Sequence, residues 1–229
     1  MKNLKKETTQ IGNRFCRVYT MDSPSFLLIQ SMGQQEVMGM DHEVKLIEQG
    51  SRKAFVMAAF EISDWERELT PWPDPAVSKD PTVGLCARET LSYVEQHLLP
   101  WLYQHYGNLP CIIGGYSLGA LFALWASSES DSFEGVAASS PSIWIRDWLE
   151  YSQAHPTRAK HVYMSLGDKE EFVKDKAISQ VGNNVREYHK ALISQLGKSG
   201  TVLEWNRGGH YQNGDVRTAR GFAWNLNVL

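Results

Sequence analysis

The chain has 229 residues, 42% of them hydrophobic and 21% charged, and a formal net charge of −3. That is an ordinary globular composition near the upper size for one domain, so a single domain over residues 1–229 is expected, with a core large enough to need no disulfide or structural metal. The weakly negative charge offers no general attraction to nucleic-acid phosphates, and no stretch approaches the ~18 apolar residues of a membrane span, so neither nucleic acid nor membrane is expected as a partner.

Read in chain order, a basic opening (Met1, Lys2, Lys5, Lys6) runs into Thr8, Thr9, Gln10 and Asn13, where a secretory leader would place its apolar run. Strand-like runs follow at 14–20, 25–32 and 53–60. Residues 61–81 break the pattern with Pro71, Pro73, Pro75 and Pro81, and the tryptophans Trp65 and Trp72 among them point to a packed surface loop that walls a binding site. Leu91, Val94 and Leu98 then recur at helical spacing. Next come a strand at 110–116, a segment at 117–127 that is apolar almost all round, and strands at 135–139 and 161–166. A helical stripe of Val185, Tyr188, Leu192 and Leu196, a last strand at 201–206 and a helix after Asp215 complete the chain. This alternation predicts an α/β fold with a mostly parallel sheet covered by crossover helices. Cys16, Cys86 and Cys111 share no metal-type spacing and lie in apolar runs, as reduced thiols of a cytoplasmic protein do.

The sharpest local signal is Gly115-Tyr116-Ser117-Leu118-Gly119, a G-x-S-x-G pattern. Alone it is weak, since chance produces it in roughly one chain in ten of this size at ordinary glycine and serine frequencies. Its setting strengthens it. The buried-strand run Cys111-Ile112-Ile113 precedes it and an apolar helix follows, which is the strand–turn–helix of a nucleophile elbow. Small residues flank the serine because the chain must turn sharply there, and the helix N-terminus favours developing negative charge. The plain alternative is a tight turn with Ser117 as an ordinary helix cap.

A serine nucleophile needs a histidine base and an acid to orient it, in the downstream order acid then histidine. Strand 161–166 runs out into Gly167-Asp168-Lys169-Glu170-Glu171, so three carboxylates stand past a strand C-terminus, where open α/β sheets gather catalytic groups. Any of Asp168, Glu170 and Glu171 is a candidate acid, with Glu170 leading; helix capping and first-turn charge are the alternative uses. His210, after Gly208-Gly209 past the last strand, is the candidate base, the other six histidines lying in or beside structural elements. No metal, nucleotide or dinucleotide motif is present, so the expected chemistry uses no cofactor and no metal.

Together Gly114-Gly115-Tyr116-Ser117-Leu118-Gly119-Ala120, Ser140-Pro141-Ser142-Ile143-Trp144, Ser165-Leu166-Gly167-Asp168-Lys169-Glu170-Glu171 and Gly208-Gly209-His210 resemble the putative-esterase family of the α/β-hydrolase superfamily, which includes esterase D, siderophore-trilactone esterases, feruloyl esterases and mycolyltransferases. The resemblance implies a three-layer α/β-hydrolase fold without a large lid and a serine carboxylic-ester hydrolase working through an acyl-enzyme. It also favours Glu170, because such enzymes place the acid three residues after a glycine. Family members often end the third strand in an Asp-Gly pair, whereas the strand taken to correspond here ends Ala59-Phe60-Glu61-Ile62-Ser63. On that alignment the oxyanion would be held by the N–H groups of Leu118 and Ile62, and Trp65, Trp72, Tyr116 and Trp144 would contact a small or bulky soluble ester. Acyl transfer on the same scaffold, or ligand binding without catalysis, are the alternatives.

Overall fold

Eight strands form one sheet in the computed structural model of the protein, which describes residues 4–229 apart from the side chain of Gln35. Residues 1–3, the start of the basic opening, lie outside the described residues. The strands are β1 (Lys5–Ile11), β2 (Arg14–Thr20), β3 (Phe26–Met32), β4 (Phe55–Glu61), β5 (Cys111–Tyr116), β6 (Gly135–Ser139), β7 (His161–Gly167) and β8 (Thr201–Asn206), in spatial order β1-β2-β4-β3-β5-β6-β7-β8. β2 pairs antiparallel with β1 and β4; every other pairing is parallel.

Hydrophobic alternation finds seven of these strands and misses β1. The reason is physical: β1 reads Lys-Lys-Glu-Thr-Thr-Gln-Ile, is exposed along most of its length, and is an edge strand hairpinned onto β2 through Gly12 at φ 58°. Charged residues along a sheet edge discourage pairing with another chain, at the expense of the apolar signal by which a strand is recognised.

The central strands are buried on both faces. On one side α1 (Gln34–Gly50) and α8 (Gly214–Val228) cover them, with Met40, Val44, Ile47, Phe222 and Leu226 packing on Leu28, Met57 and Ile112. The larger opposite layer holds α3 (Ala87–Tyr93), α4 (Leu99–Tyr106), α5 (Leu118–Glu129), α6 (Trp148–Ala154) and α7 (Val181–Leu196). α5 is buried from Leu118 through Ser128, as its all-round apolar sequence requires. The stretch at 61–81 is not a plain loop, because its start forms a short helix, α2 (Trp65–Leu69), capped by the Asp64 carboxylate accepting the Arg67 N–H at 3.0 Å. Among the described residues no helix is long and apolar enough to cross a membrane.

Candidate active site

β5 ends at Tyr116 and α5 begins at Leu118, leaving one residue for the reversal. Ser117 makes it at φ 58° and ψ −120°, a strained conformation for a residue with a Cβ. The flanking glycines make the geometry possible. A Cβ on Gly115 would sit 2.7 Å from the Gly119 carbonyl carbon, and one on Gly119 would sit 2.7 Å from Ser31 Oγ. Two backbone bonds hold the elbow: the Ser117 N–H donates to the Ser139 carbonyl at 3.1 Å, and the Ser142 N–H to the Ser117 carbonyl at 3.2 Å. The first helical bond here is Leu121 N–H to the Ser117 carbonyl, so the N–H groups of Leu118, Gly119 and Ala120 have no partner within α5.

His210 follows β8 in the turn that leads into α8. Its Nε2 lies 3.0 Å from Ser117 Oγ, and its Nδ1 lies 2.7 Å from Glu170 Oε2. Of the three neighbouring carboxylates only Glu170 reaches the imidazole. Asp168 accepts the Gly208 N–H at 2.8 Å and so ties the histidine turn to the end of β7. Glu171 forms a two-pronged ion pair with Arg186, both contacts at 2.7 Å. Ser117, His210 and Glu170 are therefore brought together, and the other two acids brace the surrounding chain.

Glu170 is 4% exposed and its second oxygen is enclosed by donors. Oε1 accepts from Ser140 Oγ at 2.7 Å, from the Gly167 N–H at 2.8 Å and from Arg217 at 2.8 Å. Burial works to raise the Glu170 pKa; the hydrogen bond from His210, that from Ser140, the His210 charge and the Gly167 N–H outweigh it, and the value falls below the ordinary 4.5. The carboxylate is thus ionised at neutral pH, as an acid that orients an imidazole must be.

Sequence reading missed Arg217 and Ser140 as parts of this assembly. Arg217, on α8 and 1% exposed, also donates to Ser140 Oγ at 2.9 Å, to the Tyr116 hydroxyl at 3.2 Å and to the Gly209 carbonyl at 3.0 Å. Nothing local marks an arginine in an amphipathic helix as buried. The Ser-Pro-Ser run after β6 was the available sign for Ser140, whose φ of 46° aims it back at the acid.

The remaining sequence candidates divide. Trp65, on α2, and Tyr116 line a cavity of about 390 Å³ beside Ser117 and His210. Trp144 lines a second, of about 370 Å³, which also reaches Ser117, Leu118 and His210. The Tyr116 hydroxyl donates to the His210 carbonyl, fixing the turn from behind. Trp72 borders neither cavity; its indole N–H donates to the Arg146 carbonyl at 3.0 Å and its ring stacks on Trp148 with centroids 6.3 Å apart. The expectation that it contacts substrate is corrected: it is a packing residue. Ile62 is corrected too, because its N–H donates to the Met32 carbonyl at 3.0 Å and it opens onto a separate groove. The cause is the missed β1, which shifted the strand count by one. The third strand of the sheet is β3, paired directly with β5, and it is the end of β3 that abuts the elbow at Gly119.

Comparison with known proteins identifies the family and the fold. The family model described as "Putative esterase" matches residues 41–210. Comparison with curated proteins gives no match. Among solved structures, an IroE-like serine hydrolase from Shewanella oneidensis superposes with a TM-score of 0.74 at 15% identity, covering 97% of this chain and 80% of that one. The siderophore hydrolase EstA from Aspergillus nidulans gives 0.68 at 17% identity, over 99% of this chain and 95% of its own. The enterobactin esterase FES from Shigella flexneri gives 0.64 at 16% identity, with 97% of this chain on 59% of that one. These likenesses place the chain in the α/β-hydrolase fold.

Proposed function

The chain belongs to the putative-esterase family, whose chemistry is carboxylic-ester hydrolysis, and from that premise we propose that it cleaves small or bulky soluble esters through a Ser117–His210–Glu170 triad and an acyl-enzyme. One observation carries the reading: two hydrogen bonds, of 3.0 and 2.7 Å, join Ser117 Oγ to a buried, ionised carboxylate across a single imidazole.

The steps follow from the geometry. Ser117 Oγ attacks the ester carbonyl carbon as His210 Nε2 takes its proton, while Glu170 holds the Nδ1–H tautomer and stabilises the imidazolium. Collapse of the tetrahedral intermediate expels the alcohol, which leaves with the proton from Nε2. Water then attacks the acyl-enzyme with His210 again acting as base. The Leu118 N–H, at the open end of α5, supports the developing oxyanion, and the second donor comes from the turn between β3 and α1. The two cavities that meet at Ser117 receive the acyl and alcohol portions. The test is labelling by a fluorophosphonate and turnover of p-nitrophenyl acetate: wild type is labelled at Ser117 and hydrolyses the ester, and Ser117→Ala loses labelling and about 10⁶ in kcat. An unlabelled Ser117 in folded protein refutes the reading.

A further inference from the structure

The two cavities at Ser117 differ in chemistry. One is walled largely by apolar groups such as Val77, Leu118, Pro141, Trp144 and Val173. The other sets polar and acidic groups, Gln30, Ser31, Glu36, Glu43 and Asp215, against Trp65, Tyr116 and Tyr211 beside the nucleophile, and no Lys or Arg lines it.

Three of those side chains are at least nine-tenths buried and each has an atom without a hydrogen-bond partner, namely Gln30 Oε1 (2% exposed), Ser31 Oγ (3%) and Glu43 Oε1 (5%). Buried polar atoms in folded proteins are almost always paired, so three orphans on one cavity wall point to a group that the cavity is built to receive. All three can accept hydrogen bonds, Glu43 once a bound cation displaces the proton that its burial retains, and the Glu36 and Asp215 carboxylates line the same cavity. Asp215 faces His42, whose Nδ1 lies 2.6 Å from it, and Glu36 accepts the Gly33 N–H at 3.0 Å. Burial, and then the Asp215 charge, hold the Glu43 carboxyl well above the usual carboxylate range, with the Gln30 amide offsetting part of the effect. Among the described residues no group of three or more His, Cys, Asp or Glu side chains is gathered as a metal ion needs. An alkylammonium group fits instead: a cation with three N–H donors and no acceptor.

We propose that this polar cavity recognises an ammonium group, so that the preferred substrates are esters carrying a primary amine a few bonds from the scissile carbonyl. The proposal rests on Ser117 being the nucleophile that both cavities share, and it names the substrate class of that same site.

Two matched series test it near pH 6.5, one for each side of the ester: p-nitrophenyl esters of β-alanine, 3-hydroxypropanoic acid and butanoic acid, and 2-aminoethyl, 2-hydroxyethyl and propyl benzoates. The readout is the ratio of kcat/KM between members of one series, corrected for spontaneous hydrolysis. In at least one series the ammonium member should exceed the methyl member by about ten- to a hundredfold, the worth of a hydrogen-bonded charge in a buried site. The ratio should collapse toward unity in Glu43→Gln and fall in Asp215→Asn, which serves if the first variant does not fold. A hydroxyl or methyl member that is fastest in both series overturns the proposal while leaving the esterase reading intact. So does a ratio that neither substitution changes, since a merely structural role slows all members alike. No turnover of any ester by the wild type refutes the esterase reading and this proposal with it.

Discussion

Arg217→Met removes a guanidinium that is 1% exposed and makes four contacts beneath the candidate triad, to Glu170, Ser140, Tyr116 and the Gly209 carbonyl. Taking away one partner of a buried ion pair costs about 3–5 kcal/mol, because the other charge is left without compensation. Glu170 keeps its donors from His210, Ser140 and the Gly167 N–H, which places the loss at about 3 kcal/mol, the low end of that range. In a chain of 229 residues each kcal/mol shifts Tm by about 2–4 °C, so Tm should fall by about 6–12 °C. Arg217→Lys should recover little of it, since one ammonium cannot span the carboxylate and the Gly209 carbonyl as the planar fork does. Calorimetry near pH 7 measures the shift, and a double-mutant cycle with Glu170→Gln should show coupling above about 1 kcal/mol. A fall of less than about 2 °C, or strictly additive effects, would mean that the buried pair does not stabilise this site.

The choice of acid is tested by comparing Glu170→Gln, which should lower kcat by about 10⁴, with Glu171→Gln, which should leave kcat within a few-fold of wild type. Equal effects would remove Glu170 from its role. The Glu43 carboxyl supplies a pH test. Its folded pKa is raised above the ordinary 4.5, so the folded state holds a proton that the unfolded chain has released. Stability due to this group is therefore complete below that pH and is lost as pH climbs toward the folded value. Glu43→Gln should accordingly gain Tm over wild type progressively from about pH 4.5 upward, and a difference flat with pH in thermal melts would contradict this. Gly119→Ala drives a methyl to 2.7 Å from Ser31 Oγ at the elbow, and should destabilise by about 1–3 kcal/mol in denaturant titration while cutting turnover; a variant that matches wild type in both would show that the elbow has room to spare.

What the sequence determined by itself was whatever follows from local sterics and chain order. Alternating strand and helix periodicities implied the parallel sheet, the glycines around Ser117 marked a turn that tolerates no side chains, and the loop after the last strand picked out His210. Ser117 and His210 are 3.0 Å apart across 93 positions of chain, and each was legible from its own neighbourhood. The tertiary structure decided everything that depends on direction or on spatial neighbours. Asp168, Glu170 and Glu171 share one turn, yet their side chains leave it toward a backbone N–H, an imidazole and an arginine respectively. Trp72 and Trp65 share one proline-rich segment, and only Trp65 reaches the cavity at Ser117. β1, polar because it lies on an edge, was invisible to hydrophobic patterning, and its loss displaced the strand count and with it the choice of Ile62, whose N–H is taken by the Met32 carbonyl. Sheet order differs from chain order here, with β3 lying between β4 and β5. Only that order brings Gln30 and Ser31 to the nucleophile, where α1 and α8 add Glu43, Asp215 and the buried Arg217.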